Sequence, residues 1–318
     1  MREKAMENSA KRPEAPWREG EAERYLKRAI REFILKSPDN RLHLIDGEPL
    51  FEEPLVAFAQ GRDPLFEELK RIIGPFHLTP KELLKEAIED GLCPEDAGHG
   101  LESMSVISWV LPVAQGVRKA NRRVRKFPAR KWAHQRNFGE LLNEKLREHV
   151  VGLLRGAGFA AIAPMQSPYF KRVNDERVGI ASTWSERHVA FVAGLGTFGY
   201  CDGLITPRGK AQRVGSVVTS LPLRATPRPY ESHTEWCLHF RGMECRQCEK
   251  RCPAGAFDER GHSKPACKRW VQEVIFNKFK DIYGVKAMGC GICQVSVPCE
   301  AEVPPETLSS SLDLSVYR

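Results

Sequence analysis

The chain has 318 residues, 42% hydrophobic and 28% charged, enough for one large or two moderate domains whose core needs no covalent staples. A net charge of +8 permits an acidic or nucleic-acid partner without requiring one. No stretch reaches the apolar length of a membrane span, and residues 1 to 20 are charged and proline-bearing without the apolar core of a secretory leader; the expectation is a protein of a reducing cytoplasm with no membrane partner.

Residues 1 to 20 read as an unstructured lead. A helix follows, with Tyr25, Leu26, Ala29, Ile30, Phe33 and Ile34 on one face. Two further helices are announced by their starts: Asp63-Pro64 and Thr79-Pro80 each put a capping side chain before a proline at the first helical position. Glu82 completes a capping box with Thr79, and Gly91 stops that helix. Residues 1–98 are therefore expected to form a helical N-terminal extension, in which Cys93 is a small buried hydrophobe.

From Ser105 the pattern changes. Val106 to Leu111 is a strand candidate ended by Pro112, and a helix is expected from about Gly139 to Arg155 with Leu142, Leu146, His149, Val150 and Leu153 on one face, His149 serving as a core histidine. Strand candidates at Phe159–Ala163 and Val214–Thr219 complete an alternating α/β middle domain over residues 99–228. The densest basic run lies inside it, from Arg118, Lys119, Arg122, Arg123 and Arg125 to Lys126, Arg130, Lys131 and Arg136, with Phe127 and Trp132 interleaved. Such a run can hold a phosphodiester backbone and stack bases, or be an ordinary solvated connection.

Gly194-Leu-Gly196-Thr-Phe-Gly199 matches the dinucleotide fingerprint in form only. That fingerprint must follow a strand and open a helix, whereas Ser185 to Val192 reads as a helix and Ile205-Thr206-Pro207 follows closely. The glycines are better read as letting the backbone turn sharply beside something bulky.

Pro222, Pro227 and Pro229 mark a linker into residues 229–318, which hold eight of the ten cysteines. They run Cys237-x7-Cys245-x2-Cys248-x3-Cys252-Pro253, then Cys267, then Cys290-x2-Cys293-x5-Cys299. Eight thiolates make two sets of four, and tight C-x2-C loops supply pairs of ligands with little chain entropy to lose, so the reading is two [4Fe-4S] clusters, with structural zinc or disulfides as the bland alternatives. In two-cluster ferredoxins the cysteine before proline serves the other cluster. That rule suggests Cys237, Cys245, Cys248 and Cys299 for one site and Cys252, Cys267, Cys290 and Cys293 for the other. Gly242 stands where a regular ferredoxin run has its first cysteine, and Cys237 substitutes.

The run Glu186-Arg187, Ala193-Gly-Leu-Gly196, Gly199, Leu204-Ile-Thr-Pro207, Gly209, Arg213-Val-Gly-Ser216 and Thr219-Ser-Leu-Pro222, ahead of a two-cluster module, resembles epoxyqueuosine reductases and the related reductive dehalogenases. The resemblance runs from about Phe159 to Glu300 and leaves the N-terminal extension unaccounted for. It implies an α/β (α+β) protein: a nitroreductase-like, cobalamin-binding domain followed by a ferredoxin-type domain with two [4Fe-4S] clusters. On it, Gly194, Gly196, Gly199, Leu204, Thr206 and Gly209 would approach the corrinoid, and an external electron donor of ferredoxin or flavodoxin type would feed the clusters.

Two departures stand out. The family's aspartate proton donor falls near Ile180-Ala181 here, with Asp175 too early to take its place, and the lysine usual after the turn's last glycine is Tyr200. Tyr200, Cys201 and His188 are the local candidates for catalysis, with packing as the plain alternative for Cys201 and His188; Trp184 and Trp236 read as packing residues. Three functions follow as expectations: a cobalamin-dependent iron–sulfur reductase of an electrophilic small molecule, an electron carrier without its own substrate, and a reductase acting on tRNA.

Overall fold

The computed structural model describes residues 20–93, 101–259, 261–308 and 313–317. The expected lead therefore lies almost wholly outside the described residues.

Helix α1 (Glu21–Lys36) buries Leu26, Ile30 and Ile34, one side of the apolar face set by its sequence. Strand β1 (Leu55–Gln60) follows, then α2 (Pro64–Ile73) and α3 (Pro80–Glu89). Asp63 caps α2 through the Leu65 N–H, and the Thr79–Glu82 capping box closes in both directions. Next come β2 (Ser105–Pro112), α4 (Gln115–Arg122), the long α5 (Arg130–Gly156) and short β3 (Ala161–Ile162). A hairpin of β4 (Arg172–Asp175) and β5 (Gly179–Ser182) leads to α6 (Glu186–Val192), a second small pair β6 (Thr197–Phe198) and β7 (Leu204–Ile205), and β8 (Gln212–Thr219).

The main sheet has the order β1-β2-β8-β3 and is antiparallel throughout, with Leu55 opposite Val110 and Trp109 opposite Gly215. Alternate residues of each strand enter different cores. Val56, Phe58, Ile107, Trp109 and Val217 pack with α1 and α5, while Leu55, Ala57, Val106, Val110 and Val218 pack with α2, α3 and α6. The sheet is thus the middle of three layers, and β2 is buried along its whole length. Tight pairing fixes its register: Trp109 Nε1 donates to Asn143 Oδ1 at 2.8 Å, and Asn143 Nδ2 to Val214 O at 3.1 Å.

Among the described residues of 1–98, β1 is an edge strand of the main sheet and α1 packs into the main core, so this segment is not helical alone. The middle domain is an antiparallel sheet with helices on both faces, which makes the chain α+β, one of the two fold classes expected. His149 stacks on Phe33 at 4.7 Å, Cys93 is buried, and Trp184 and Trp236 are enclosed.

The C-terminal module is loop-rich. It holds α7 (Gln247–Lys250), the small pair β9 (Phe257–Asp258) and β10 (Gly261–His262), α8 (Lys264–Arg269), a π-helical stretch Trp270–Phe276, and α9 (Asn277–Tyr283). Its apolar residues form two small clusters, one around Trp236 and Tyr230, the other joining Ile275, Val285 and Met288 to Ala133 of α5.

Replacing Thr79 with Ala removes one reciprocal half of the α3 capping box and should lower the unfolding free energy by ~1 kcal/mol, measured by urea denaturation. An unchanged midpoint would show that the cap is idle.

Candidate functional site

The structure gathers the eight C-terminal cysteines around two voids. Cys237, Cys245, Cys248 and Cys299 line a small one with Gly199, Tyr200 and Lys210. Cys252, Cys267, Cys290 and Cys293 line a second of about 290 Å³, together with Cys201, Trp132 and Trp270. All ten cysteines are free thiols. Neither wall carries a carboxylate, and four soft sulfur donors per site are the donor set of an iron–sulfur cluster or of zinc. Among the described residues, no group of three or more His, Cys, Asp or Glu side chains is placed to hold a metal ion.

Local chain geometry explains how the thiols arrive. Cys245 and Cys248 flank the start of α7, Cys267 lies on α8 behind a Ser263 cap, and Cys290 and Cys293 bracket Gly291, whose φ of 60° only glycine adopts freely. Cys299 is held from outside the module: its carbonyl accepts the Lys210 N–H at 2.9 Å.

Beside the second sulfur set lies a cavity of about 630 Å³ between the β4–β5 hairpin, α6 and α8. Cys267, His262 and Val271 belong to both walls. Ile72, Ile73, Phe170, Ile180 and Val271 give the cavity an apolar part, and Arg172, Arg187, Lys264 and Lys268 a cationic one, with no carboxylate on its lining. Ile180 and Ala181 stand on this wall, so the place of the expected aspartate does face a cavity.

Two imidazoles on that wall are driven apart. Burial, with the Arg187 charge beside it, pushes His188 down to about 3, and its Nδ1 is 2.7 Å from Ser185 Oγ. Asp202, whose Oδ2 is 3.1 Å from Nδ1, together with Cys267 raises His262 to about 10. Cys201 and Lys210 sit deeper, between the sulfur sets. Hydrogen bonds from Cys248 and Cys293, with the Lys210 ammonium, hold the Cys201 thiol well below the ordinary cysteine range. Burial pulls the Lys210 ammonium down, but the sulfurs of Cys201, Cys299, Cys248 and Cys293 raise it well above the ordinary lysine range.

Of the three residues expected to do chemistry, only His188 lines the 630 Å³ cavity. Tyr200 is at the first sulfur set, against His239 and Phe257 and bonded by Arg246 Nη2 at 2.7 Å, and Cys201 is on the second wall. The six residues expected at a corrinoid pack mostly against the chain itself. A Cβ on Gly196 would lie 2.2 Å from Ile205 O and one on Gly209 2.2 Å from Glu300 O; Gly194 faces Pro227 O, and Leu204 and Thr206 are buried. Only Gly199 reaches a void, that of the first sulfur set. The glycine run follows α6 and enters β6, so no helix N-terminus is offered to a dinucleotide.

Four residues of the basic run are engaged in ion pairs. Arg122 is bidentate to Glu300 at 2.9 and 2.8 Å, Arg118 pairs with Glu52, Lys131 with Asp46 and Glu48, and Arg136 with Glu140. Sequence reasoning missed the cavity cations, His262 and Lys210, because their neighbours come from remote chain segments.

No protein-family model matches the chain, and no curated protein does. Among solved structures it is similar to an epoxyqueuosine reductase with an epoxyqueuosine-modified tRNA-Tyr stem loop, with a TM-score of 0.48 and 18% identity over 90% of this chain and 68% of that one. An epoxyqueuosine reductase from Bacillus subtilis gives 0.40 and 16%, over 81% of this chain and 64% of that one. A catabolic reductive dehalogenase in complex with 3-bromo-4-hydroxybenzoic acid gives 0.42 and 16%, over 79% of this chain and 30% of that one. The chain therefore spans about two thirds of the length of these reductases and less than a third of the dehalogenase.

Glu186 of the Glu-Arg pair faces the sheet, where its Oε2 accepts from Ser216 Oγ at 2.6 Å. Burial raises its carboxyl from 4.5 to about 7, against the pull of Arg147. Its contribution to stability is thus complete below about 4.5 and is lost as pH rises through about 7. Thermal unfolding across that window should show stability falling with pH in the native chain, and Glu186→Gln should flatten that component; an unaltered slope would sink the assignment.

Proposed function

We propose that the chain is an iron–sulfur oxidoreductase that carries two [4Fe-4S] clusters and reduces an electrophilic small molecule in the 630 Å³ cavity, with a corrinoid as its second cofactor. The observation that carries this reading is the shared wall: Cys267 belongs both to the second four-thiol set and to the cavity lining. Electrons arriving at that set need cross no further protein layer to reach a bound molecule.

The donor chemistry suits the clusters: among the described residues, two carboxylate-free walls are each lined by four thiols. At the glycine turn a Cβ on Gly194 or Gly196 would meet a backbone carbonyl, so these glycines serve a close approach of the chain to itself. The cavity wall suits a corrinoid better. An apolar surface from Phe170, Ile180 and Val271 would lie against a flat macrocycle, and Asn174, Gln272, Arg172 and Lys268 would donate to its amide and phosphate fringe. When bound, the corrinoid supplies a reducible cobalt centre. The chain's own part is to orient substrate, exclude water and hold protons. Arg187, Lys264 and Lys268, with no carboxylate on the lining to neutralise them, favour a substrate bearing an anionic group. The absent aspartate leaves Ser182, Ser185 and the two imidazoles as the neutral or proton-bearing groups nearest a substrate. An external ferredoxin- or flavodoxin-type protein is the electron donor in this scheme, and a reducing cytoplasm the compartment.

Anaerobic reconstitution with iron, sulfide and cobalamin, followed by metal analysis and a visible spectrum, tests it. The expected result is about eight irons and one cobalt per chain. Iron without cobalt would leave an electron carrier as the better reading, and zinc alone would overturn the iron–sulfur assignment altogether.

A further inference from the structure

Lys210 is only 4% exposed and stands where the two sulfur sets meet. Its Nζ lies 3.3 Å from Cys201 Sγ, and its side chain lines the first void. Cys201, 7% exposed, lines the second void together with Cys293. Cys237, Cys245, Cys248 and Cys299 share the first void with Lys210, and among the described residues its lining holds no carboxylate. A buried ammonium with no carboxylate partner is costly, so a position like this calls for a compensating negative charge. Two thiolate-ligated clusters supply it.

We propose that Lys210 and Cys201 form a bridge between the two clusters, a fixed cation and a relaying thiol that raise the clusters' reduction potentials and couple them. The idea rests on the two-cluster reading above. Once the sulfurs of both sets bind iron they can only accept hydrogen bonds, and the donor that the structure places beside Cys201 and the first set is the Lys210 ammonium. Donors to ligating sulfur and nearby positive charge stabilise the reduced, more negative cluster. With clusters bound, one electron from an external ferredoxin- or flavodoxin-type donor would reduce one and could pass to the other with no covalent bond made or broken. Lys210 is a positioning residue here, acting through the clusters and not on substrate.

The test is an EPR-monitored potentiometric titration of the reconstituted full chain, with iron analysis on each protein. Lys210→Met should keep its iron and lower the potential of at least one cluster. The oxidised-to-reduced ratio at fixed potential should change at least about tenfold, ~59 mV for a one-electron couple. Lys210→Arg, which keeps the charge, should stay near the native values. Cys201→Ala should keep both clusters while weakening the magnetic interaction between them. Native potentials in an iron-replete Lys210→Met protein would sink the bridge, and loss of about four irons in Cys201→Ala would make that residue a ligand instead. If Lys210→Met fails to take up iron, Lys210→Gln carries the same measurement; failure of both would assign Lys210 to folding alone and overturn the proposal. An unmutated chain that takes up no iron would be a failure of the two-cluster reading itself, distinct from any of these.

Discussion

The molecule depends on one seam, where the loop Gly209–Ala211 lies directly on Cys299–Ala301. Lys210 and Ala211 donate their N–H groups to Cys299 and Glu300 at 2.9 and 3.2 Å, so a piece of the first domain's backbone fixes the last cysteine of the second. Gly209 permits the approach, since any side chain there would strike the Glu300 carbonyl. Glu300 in turn is gripped by Arg122 and accepts the Ser296 N–H at 2.7 Å. The same logic continues around α4: Asn121 Nδ2 donates to Cys290 O, and Arg251 reaches the carbonyls of Asn121 and Ile292. The sulfur sites are therefore not a self-contained module hung on a linker. Their ligands are placed by groups from both halves, which gives each site the second layer of contacts that orients metal-binding residues.

Charge is also used inside the first domain. Arg147, 2% exposed, lies 3.2 Å from Glu140 and 3.5 Å from Glu186, and Arg213 joins Glu140 at 3.0 Å. Buried pairs of this kind contribute little net stability against an apolar replacement, because desolvation offsets the attraction. Their effect here is orientation. Glu186 anchors the start of α6 to β8, and the next residues, Arg187 and His188, are thereby aimed at the cavity.

How much of this was legible in the sequence depended on whether the governing contact was local. The capped starts of α2 and α3 depend on residues within one turn, and both were readable from Asp63-Pro64 and Thr79-Pro80. The cysteine spacing was readable for the same reason. Strand β1 was not, since Leu55–Ala59 is buried on both faces and shows no alternation to set it apart from a helix. The start of α5 was missed because Ala129 offers no capping side chain, and Arg130 to Arg136 looked like part of a solvated basic loop. Their carboxylate partners, Asp46, Glu48 and Glu140, come in part from far upstream. Lys210 could not be singled out at all: a lysine after a glycine in a loop has no pattern, and its meaning comes from three chain segments that fold around it.

The two sulfur sets are unequal in a way that gives the site a direction. The second shares Cys267 and His262 with the large cavity, while the first does not touch it and lies instead beneath Tyr200, His239 and Phe257. Cys245 of the first set is partly exposed, close in the chain to Phe240 and Met243, which are 50% and 41% exposed. Lys210 lines the first set's void and Cys201 the second's, 3.3 Å apart, and the cavity rimmed with cations lies beside the second set. A chain built only to exchange electrons with partners would have no need of that cavity. In the proposed scheme, the cavity beside Cys267 is the feature that favours reduction of a bound molecule over simple carriage.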